Sequence, residues 1–412
     1  MITPDELRAW LSAAPEHGEQ VEVFLKTSHQ RTIHQGEGGL HKTTHSHHRE
    51  IEVRSWKGPT CGACRLDSTD LPTLTEGLAL ARSLRQPAPA LWQSPAHRAP
   101  LHSDDTLSWN DGEIPSQLEL DITLRRASPR DSNAGISAVI RRFLLADTCG
   151  TFASYHQREC QLLATASGRR FATGGTTPAD LTDPTWQDPT SIPEPLSPWI
   201  DPRQPATILV TAPAATAQLI HRCTAPWRQP TSPLPSGTLI NPQGLTIIDD
   251  PETPDTPGYA PWDDEGTPRR RQALLLDGET QQPLPQAGCV QRDGFRGGFL
   301  TTSRLTMNLP NPTQPAPGGL LLIDKIIGRP PRLTTLDTPI PLSFTGTQWA
   351  NNTLTPVRGT ANASARQLLA SITQLLGPRF DLRAEALVHS PYTRFEHFPS
   401  LQWRATTATH HP

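Results

Sequence analysis

"GYAPWDDEGTPRRRQALLLDGE" (258–279) is the part of the sequence that says most about the fold. Two aspartates, a glutamate and a glycine are separated by only a threonine and a proline from three arginines, and a run of leucines follows. Aspartate side chains hydrogen-bond to nearby backbone amides and glycine permits a left-handed backbone, so the acidic part favours a compact turn. The leucine run ends in a polar pair, as a strand does when it leads into a turn. The stretch therefore predicts a charged turn followed by a strand over 270–278.

The acidic cluster in this stretch allows two interpretations. Its carboxylates could take part in acid/base or metal chemistry. Alternatively they fix the turn, while the arginines pair with them or with a partner chain. We favour the turn because it explains the residues without a ligand. The residues concerned are Asp263, Asp264, Glu265, Gly266, Arg269, Arg270 and Arg271.

The composition of the chain excludes several classes of protein. With 412 residues it is long enough for two or three domains, and its 44 prolines are roughly double ordinary usage. The net charge of −3 gives no overall field that would attract nucleic acid or an anionic membrane. The N-terminus lacks the basic start and apolar run of a signal peptide, and no apolar stretch is long enough to span a bilayer. We therefore predict a cytoplasmic protein with neither a nucleic-acid nor a membrane partner.

Helix and strand signals occur along the whole chain. Thr3, Pro4 and Glu6 form the pattern of a capped helix start, and alternating or continuous apolar residues indicate strands. We predict helices after Thr3, at 70–87, at 213–224 and at the end of 355–377, and strands at 20–26, 50–58, 118–127, 138–150, 159–168, 207–211, 270–278 and 318–328.

These signals predict an α+β protein with two domains. Residues 1–190 form an N-terminal mixed α/β domain that contains a proline-rich connector at about 87–117. Residues 200–412 form a β-rich C-terminal domain. The boundary falls in a second proline-rich stretch, about 174–206, because a connector this long has no helical or strand pattern of its own.

Several segments, in order along the chain, resemble the TldD/PmbA (TldD/TldE) metallopeptidase family. The stretch 258–279 is similar to the central block of that family, in which Asp-Asp-Glu-Gly precedes a strand. The segment 303–328 is similar to its Arg-x-x-x-Asn block, here Arg304 and Asn308. Segments 50–84, 355–377 and 389–403 are similar to its N-terminal strand–hairpin–helix, its C-terminal turn and helix, and its last strand. The resemblance covers most of the chain and implies a TldD/PmbA-like fold.

The resemblance also implies a heterodimer in which one subunit binds zinc through a His-Glu-x-x-x-His helix. Two histidines about one turn apart can bind one metal ion, and the glutamate activates the metal-bound water. The corresponding segment here is "TAPAATAQLIHRCTAP" (211–226), where His221 matches the first histidine. Arg222 replaces the glutamate and Pro226 the second histidine, and a guanidinium stays protonated and cannot act as a base. The chain therefore resembles the zinc-free TldE/PmbA subunit, and we predict no catalytic residue, metal ligand or cofactor in it, with zinc in its partner.

Two other motifs have ligand-like spacing. The run "HKTTHSHHRE" (41–50) could bind metal, as histidine-rich tracts can, but its polar residues between two predicted strands favour a solvated hairpin. Whether His41–His48 bind metal is left open. Cys61 and Cys64 have redox or half-zinc spacing, but no second cysteine pair follows at zinc-ribbon distance, so a hairpin with two small residues is favoured.

Our leading hypothesis is a non-catalytic TldE-like subunit that pairs with a TldD-like catalytic chain. The complex would cleave unfolded peptides, for example to remove leader segments from ribosomally made peptide natural products. Candidate contacts to a peptide or to the partner are His221, Arg222, Asp263, Asp264, Glu265, Arg304 and Asn308. The alternatives are a self-sufficient metallopeptidase, with a site rearranged from His41, His45, His47 or the acidic cluster, and a homodimeric peptide-binding scaffold without proteolysis.

Overall fold

The fold is known from a computed structural model of the chain. It describes residues 2–36, 41–68, 70–88, 94–101, 114–128, 132–166, 169–181, 192–228, 234–263, 266–281, 304–310, 312, 317–328, 335–383, 387–396, 398 and 400–406. None of the helices within these ranges combines the length and the apolar character that a bilayer crossing requires.

The N-terminal half forms a seven-stranded sheet that is antiparallel throughout. Its strands are β1 (Glu19–Gln35), β2 (His41–Lys57), β3 (Thr60–Leu66), β4 (Gln86–Pro87), β5 (Asn133–Asp147), β6 (Phe152–Ala166) and β7 (Arg169–Gly175). Their order across the sheet is β4-β3-β2-β1-β5-β6-β7. Three helices accompany it: α1 (Pro4–Ala13), α2 (Leu71–Ser83) and α3 (Gln117–Ala127). Helix α1 begins with the predicted capping box between Thr3 and Glu6.

The first sheet has two different faces, because successive side chains in a strand point to opposite sides. The helix-covered face carries Val23, Leu25, Ile33 and their cross-strand partners, and all three helices pack on it. The domain-contact face carries Glu22, Phe24 and their partners. Phe24 belongs to a separate core cluster that includes Trp262 from the second half of the chain. The first sheet therefore lies between its own helices and the C-terminal half.

The C-terminal half forms an 11-stranded mixed sheet. Its strands are β8 (Ala206–Thr211), β9 (Thr246–Asp249), β10 (Gln272–Leu276), β11 (Glu279–Thr280), β12 (Arg304–Asn308), β13 (Gly319–Ile327), β14 (Pro339–Ala350), β15 (Thr353–Ser364), β16 (Ile372–Arg383), β17 (Leu387–Phe395) and β18 (Gln402–Ala405). The order is β11-β10-β9-β12-β17-β8-β13-β14-β15-β18, and β16 pairs with β17. Helices α4 (Pro213–Cys223) and α5 (Ala365–Ala370) contribute to its core.

Strand β17 lies between β12 and β8 in the second sheet and pairs with both. Its first residues pair in parallel with β12, where Leu387 lies opposite Arg304. Its last residues pair antiparallel with β8, where Phe395 lies opposite Leu209. The α+β class, with a mixed N-terminal domain and a β-rich C-terminal domain, is confirmed.

Two of the predicted elements are wrong. The segment 118–127 is helix α3 and not a strand, because the Ser116 side chain caps its start by accepting a hydrogen bond from the Glu119 amide at 3.1 Å. The run 355–377 holds only the short helix α5, which ends at Ala370, and the chain then continues as β16. In the second case burial in the tertiary structure outweighs the local pattern.

Candidate functional site

The helix that the family resemblance places at the zinc position is α4, and its end is buried. His221 and Arg222 are each 4% exposed. The Arg222 guanidinium donates a hydrogen bond to the carbonyl oxygen of Gly328. Pro226 lies in a short 3-10 helix that follows α4, Ala225–Arg228. One imidazole, a donor-only guanidinium and a proline do not fit a zinc ion. In this conformation neither His221 nor Arg222 is exposed at the protein surface.

The turn over 263–267 is held by hydrogen bonds between its first and last residues. The Asp263 amide donates to the Thr267 carbonyl oxygen at 3.0 Å, and the Thr267 amide donates to Asp263 Oδ1 at 2.9 Å. Gly266 has φ of +70°, which glycine adopts without strain. Asp264 and Glu265 lie outside the described residues. The Asp263 carboxylate therefore holds the turn in shape.

This turn docks on the domain-contact face of the first sheet. A Cβ atom at Gly266 would lie 2.4 Å from Leu145 Cδ2 and 2.8 Å from Arg98 Nε. Arg98 is itself buried, where it pairs with Glu22 and, at 3.0 Å, with Asp147. Only a glycine lets the backbone approach these side chains so closely.

Trp262, one residue before the turn, fills the contact between the two halves. It is fully buried and lies edge-on to Tyr155, with ring centroids 4.6 Å apart. Tyr155 stacks on Phe143 at 4.5 Å. The Gln157 side-chain amide also donates to the carbonyl oxygen of Tyr259 at 2.8 Å. The stretch 258–267 therefore joins the C-terminal half to the first sheet.

A cluster of ionisable side chains lies where β12, β16 and β17 meet. We call Arg304, Asp381 and His389 the Arg304 cluster. Arg304 Nε lies 2.7 Å from Asp381 Oδ1, and its Nη2 atom lies 3.1 Å from Oδ2. His389 Nδ1 lies 3.1 Å from Asp381 Oδ1 and 3.0 Å from Arg304 Nη2. A Cβ atom at Gly174 in β7 would lie 1.9 Å from the Asp381 carbonyl oxygen, so the cluster also adjoins the first sheet.

The surroundings of Asp381 keep it ionised. Burial alone would raise the pKa of this carboxyl, but hydrogen bonds from His389 and Arg304 outweigh burial and leave the pKa below its usual range. The Arg304 backbone amide in turn donates to Asp249 Oδ1 at 3.2 Å, and Arg269 donates to Asp249 Oδ2 at 3.2 Å. Through Asp249, the segment after the turn is thus linked to the backbone of Arg304 at the start of β12.

Asn308 is separated from this cluster. It lies four residues further along β12, or about 13 Å at strand spacing, and its side chain is exposed. Asp381 and His389 are residues that sequence reasoning missed. The pairing of Arg304 with Asp381 spans 77 residues, and no local pattern signals it.

In the histidine run, His41, His45 and His47 lie on the face of the first sheet opposite the acidic turn, whereas His48 points to the same face as that turn. His47 is the cross-strand partner of His29 on the helix-covered face, with ring centroids 4.0 Å apart. Asp263 belongs to the turn on the domain-contact face. Among the described residues, no three or more histidine, cysteine, aspartate or glutamate side chains are grouped as metal ligands. The structure does not bring the histidine run and Asp263 into one site.

The cysteine pair sits in β3, and its two side chains point to different faces. Cys61 and Cys64 are three residues apart in a strand, an odd spacing that places them on opposite sides. Both are free thiols. Burial, with a further contribution from Glu52, raises the pKa of Cys64. The geometry does not match a redox pair.

Comparisons with known proteins relate this fold to a class of peptidases. Residues 206–294 match the PmbA/TldA metallopeptidase C-terminal domain. Among curated proteins, none matches the sequence significantly.

Solved structures share the fold over nearly the whole chain. TldE from Thermococcus kodakarensis is 12% identical, with a TM-score of 0.70 over 93% of this chain and 96% of its own. A putative modulator of a DNA gyrase from Thermotoga maritima MSB8 is 15% identical, with a TM-score of 0.64 over 98% and 100%. A putative modulator of DNA gyrase from Bacteroides thetaiotaomicron VPI-5482 is 14% identical, with a TM-score of 0.64 over the same shares.

The solved structures show that the chain has the fold of TldE, and residues 206–294 are similar to the C-terminal domain of the PmbA/TldA metallopeptidases. The predicted resemblance to the TldD/PmbA family is confirmed by the domain match over residues 206–294 and by the fold shared with TldE.

Proposed function

We propose that this chain is the non-catalytic, TldE-like subunit of a TldD/TldE-type metallopeptidase complex that cleaves unfolded peptides. The observation that carries the proposal is the composition and burial of α4. At the helix where the family resemblance implies His-Glu-x-x-x-His, this chain has His221, Arg222 and Pro226. The first two are buried, and Arg222 is committed to the Gly328 carbonyl oxygen.

The chain's part in such a complex is to pair with the catalytic subunit and to help hold an extended peptide. Open strand edges suit the second task, since an added strand gains main-chain hydrogen bonds with little demand on sequence. Strand β18 pairs with β15, and its four residues are exposed. Removal of leader segments from ribosomally made peptides is a task that fits this role, and it rests on the family resemblance alone.

The test is co-expression with a TldD-like subunit that carries His-Glu-x-x-x-His. We expect one co-eluting species in gel filtration and peptidase activity only when both chains are present. The matched control changes the glutamate of the partner's motif to glutamine, which should remove activity and leave co-elution intact, because that residue activates water and does not hold the subunits together. Separate elution at micromolar concentration would contradict the proposal.

Metal analysis of the chain alone separates this proposal from a self-sufficient peptidase. Stoichiometric zinc together with peptide cleavage by the isolated chain would favour a rearranged site. A His41→Ala, His45→Ala, His47→Ala triple variant then shows whether the histidine run holds the metal. A symmetric dimer in light scattering that does not exchange with a TldD-like chain would favour the scaffold.

A further inference from the structure

Among the described residues, the helices on the helix-covered face of the first sheet leave an open gap between them. Helices α1 and α2 pack on the rows of side chains that contain Val23 and Leu25. Helix α3 packs on the row that contains Ile33. The rows of Thr27, His29 and Arg31 lie between these two helix contacts. Their side chains are half-buried, as side chains are when they line an open groove.

The strand register places eight basic side chains in this gap. Thr27 lies between Arg49 and Arg142, and Arg142 lies opposite His156. The next row runs from His47 through His29 and Ile140 to Arg158, and the third contains His45 and Arg31. We call this set the basic strip. Its members are His29, Arg31, His45, His47, Arg49, Arg142, His156 and Arg158.

The three rows contain no carboxylate. They hold four arginines and four histidines, and the remaining positions are Thr27, Ile140, Ala138 and Cys160. Arg158 is exposed and Arg49 is half-buried, and within the described ranges neither takes part in an ion pair. The Arg31 guanidinium donates to the carbonyl oxygen of Pro115, just before α3, which fixes it at the edge of the gap. A chain with a net charge of −3 thus carries a concentrated patch of positive charge.

The dimensions of the basic strip limit what it can bind. It crosses β2, β1, β5 and β6, a distance of about 15 Å at ordinary strand spacing. Leu25 and Ile33 are eight residues apart in β1, which corresponds to about 27 Å along the strand. The helices on either side each cover part of this length, and together they shorten the open stretch by roughly one helix diameter, 10 Å. An extended peptide fits between such walls, whereas a nucleic-acid duplex is too wide to reach the sheet.

We propose that the basic strip binds an acidic, extended peptide segment of a partner protein. Carboxylates of the segment pair with the guanidinium groups, which suit planar, bidentate recognition of carboxylate. The histidines add donors and acceptors along the same rows. This surface lies on the opposite side of the first sheet from the domain contact, and the inference does not depend on the proposed peptidase role.

The test measures binding of a fluorescein-labelled Glu-Ser-Glu-Glu-Ser-Glu peptide to the full chain by anisotropy, with Gln-Ser-Gln-Gln-Ser-Gln as the uncharged probe. An extended peptide of this length spans about 20 Å, enough to cross the basic strip. We expect the acidic peptide to bind and the uncharged one not to. Binding should weaken as salt is raised, because the pairs are partly exposed. The variant Arg49→Gln/Arg158→Gln should lower the affinity about tenfold.

The control is Arg270→Gln/Arg271→Gln, which removes two exposed arginines just before β10 in the second sheet. It changes the net charge equally and should leave binding unchanged, and both variants should keep the thermal midpoint of the wild type. Equal loss in both variants, or no binding of the acidic peptide, would overturn the proposal. Displacement of the peptide by a duplex oligonucleotide that binds more tightly would overturn it in favour of nucleic acid. Binding that appears only after Asp104, Asp105 and Asp111 are changed to serine would overturn it in favour of this chain's own acidic segment.

Discussion

Two arginine–aspartate pairs in the C-terminal half have nearly the same geometry and very different surroundings. Arg304 and Asp381 form two hydrogen bonds of 2.7 and 3.1 Å, and Arg366 and Asp337 form two of 2.6 and 3.1 Å. The side chains of the first pair are each 11% exposed, and those of the second are 35% and 65% exposed. Because a buried charge without its partner is far more costly than an exposed one, the two pairs form a matched test.

Asp381→Asn is expected to destabilise the protein by about 3 kcal/mol, since it leaves the Arg304 charge buried without a carboxylate. Asp337→Asn, in the exposed pair, should cost less than about 1 kcal/mol. Urea unfolding followed by tryptophan fluorescence measures both. Equal costs would show that Arg304 finds another partner or becomes hydrated.

The pH dependence of unfolding gives a second readout at Asp381. Its pKa in the folded protein is below the ordinary value, so the unfolded state binds a proton more readily. The stabilisation is therefore fully present above the unfolded-state value of about 4 and is lost as pH falls through the lower folded-state pKa. The stability difference between wild type and Asp381→Asn should shrink between about pH 5 and pH 3. A constant difference over that range would contradict this assignment.

Gly266 and Gly18 have almost the same backbone conformation, with φ of +70° and +72°. A Cβ atom at Gly18 would meet nothing within 4 Å, whereas one at Gly266 would overlap Leu145 and Arg98. Gly18→Ala should cost about 1 kcal/mol from backbone strain alone. Gly266→Ala should cost about 1–3 kcal/mol more, since both neighbours are buried and cannot easily move. Chemical denaturation of the two variants measures the difference. Equal losses of unfolding free energy would mean that Leu145 and Arg98 can move to accommodate a Cβ atom at position 266.

Among the helices and strands, α3 is one of the two elements where sequence and structure disagree. Leu118, Leu120, Ile122 and Leu124 alternate with other residues, which imitates a strand. In the helix, Leu120 and Leu124 are fully buried, while Leu118 and Ile122 are 67% and 40% exposed. In a strand all four side chains would lie on one face.

Leu120→Ala is therefore expected to cost about 2–5 kcal/mol, and Leu118→Ala less than about 0.5 kcal/mol. The unfolding free energies of the two variants decide between helix and strand without a new structure. Similar costs would support the strand.

The elements that the sequence predicts well are those with local signals. The capping box at Thr3 and Glu6 marks α1, and Pro72 in the first turn marks α2, whose N-cap in the structure is Asp70. The turn residues around Asp263 suffice to predict a turn, because its hydrogen bonds join residues that are close in sequence. What the turn docks against could not be predicted, since Leu145 and Arg98 are more than a hundred residues away.

At the scale of the whole molecule, Trp262 is the main apolar link between the two halves. It belongs to the C-terminal half by sequence and to the core of the domain-contact face by position. The Arg304 cluster forms a second link through β16 and β7. We expect the two halves to unfold together as long as both links are intact.

Trp262→Ala should lower the stability by about 3–5 kcal/mol and separate the unfolding of the halves into two transitions. Trp403→Ala is the control, because Trp403 is 40% exposed on β18 and makes one side-chain hydrogen bond, to Gln348. Differential scanning calorimetry distinguishes the outcomes. A single transition in Trp262→Ala, shifted no more than in the control, would show that the halves are held together elsewhere.

The placement of β17 also determines when the second sheet can form during synthesis. A ribosome must translate past Phe395 before β12 and β8 gain the strand that lies between them. Until then both strands keep unpaired edges, which are hazards for aggregation. The seven strands of the first sheet are complete by Gly175, so this sheet can assemble while the rest of the polypeptide is still being made. Cells that produce this protein must therefore shield a half-built second sheet for about 190 residues of elongation, on the order of 10–40 seconds at bacterial and eukaryotic rates.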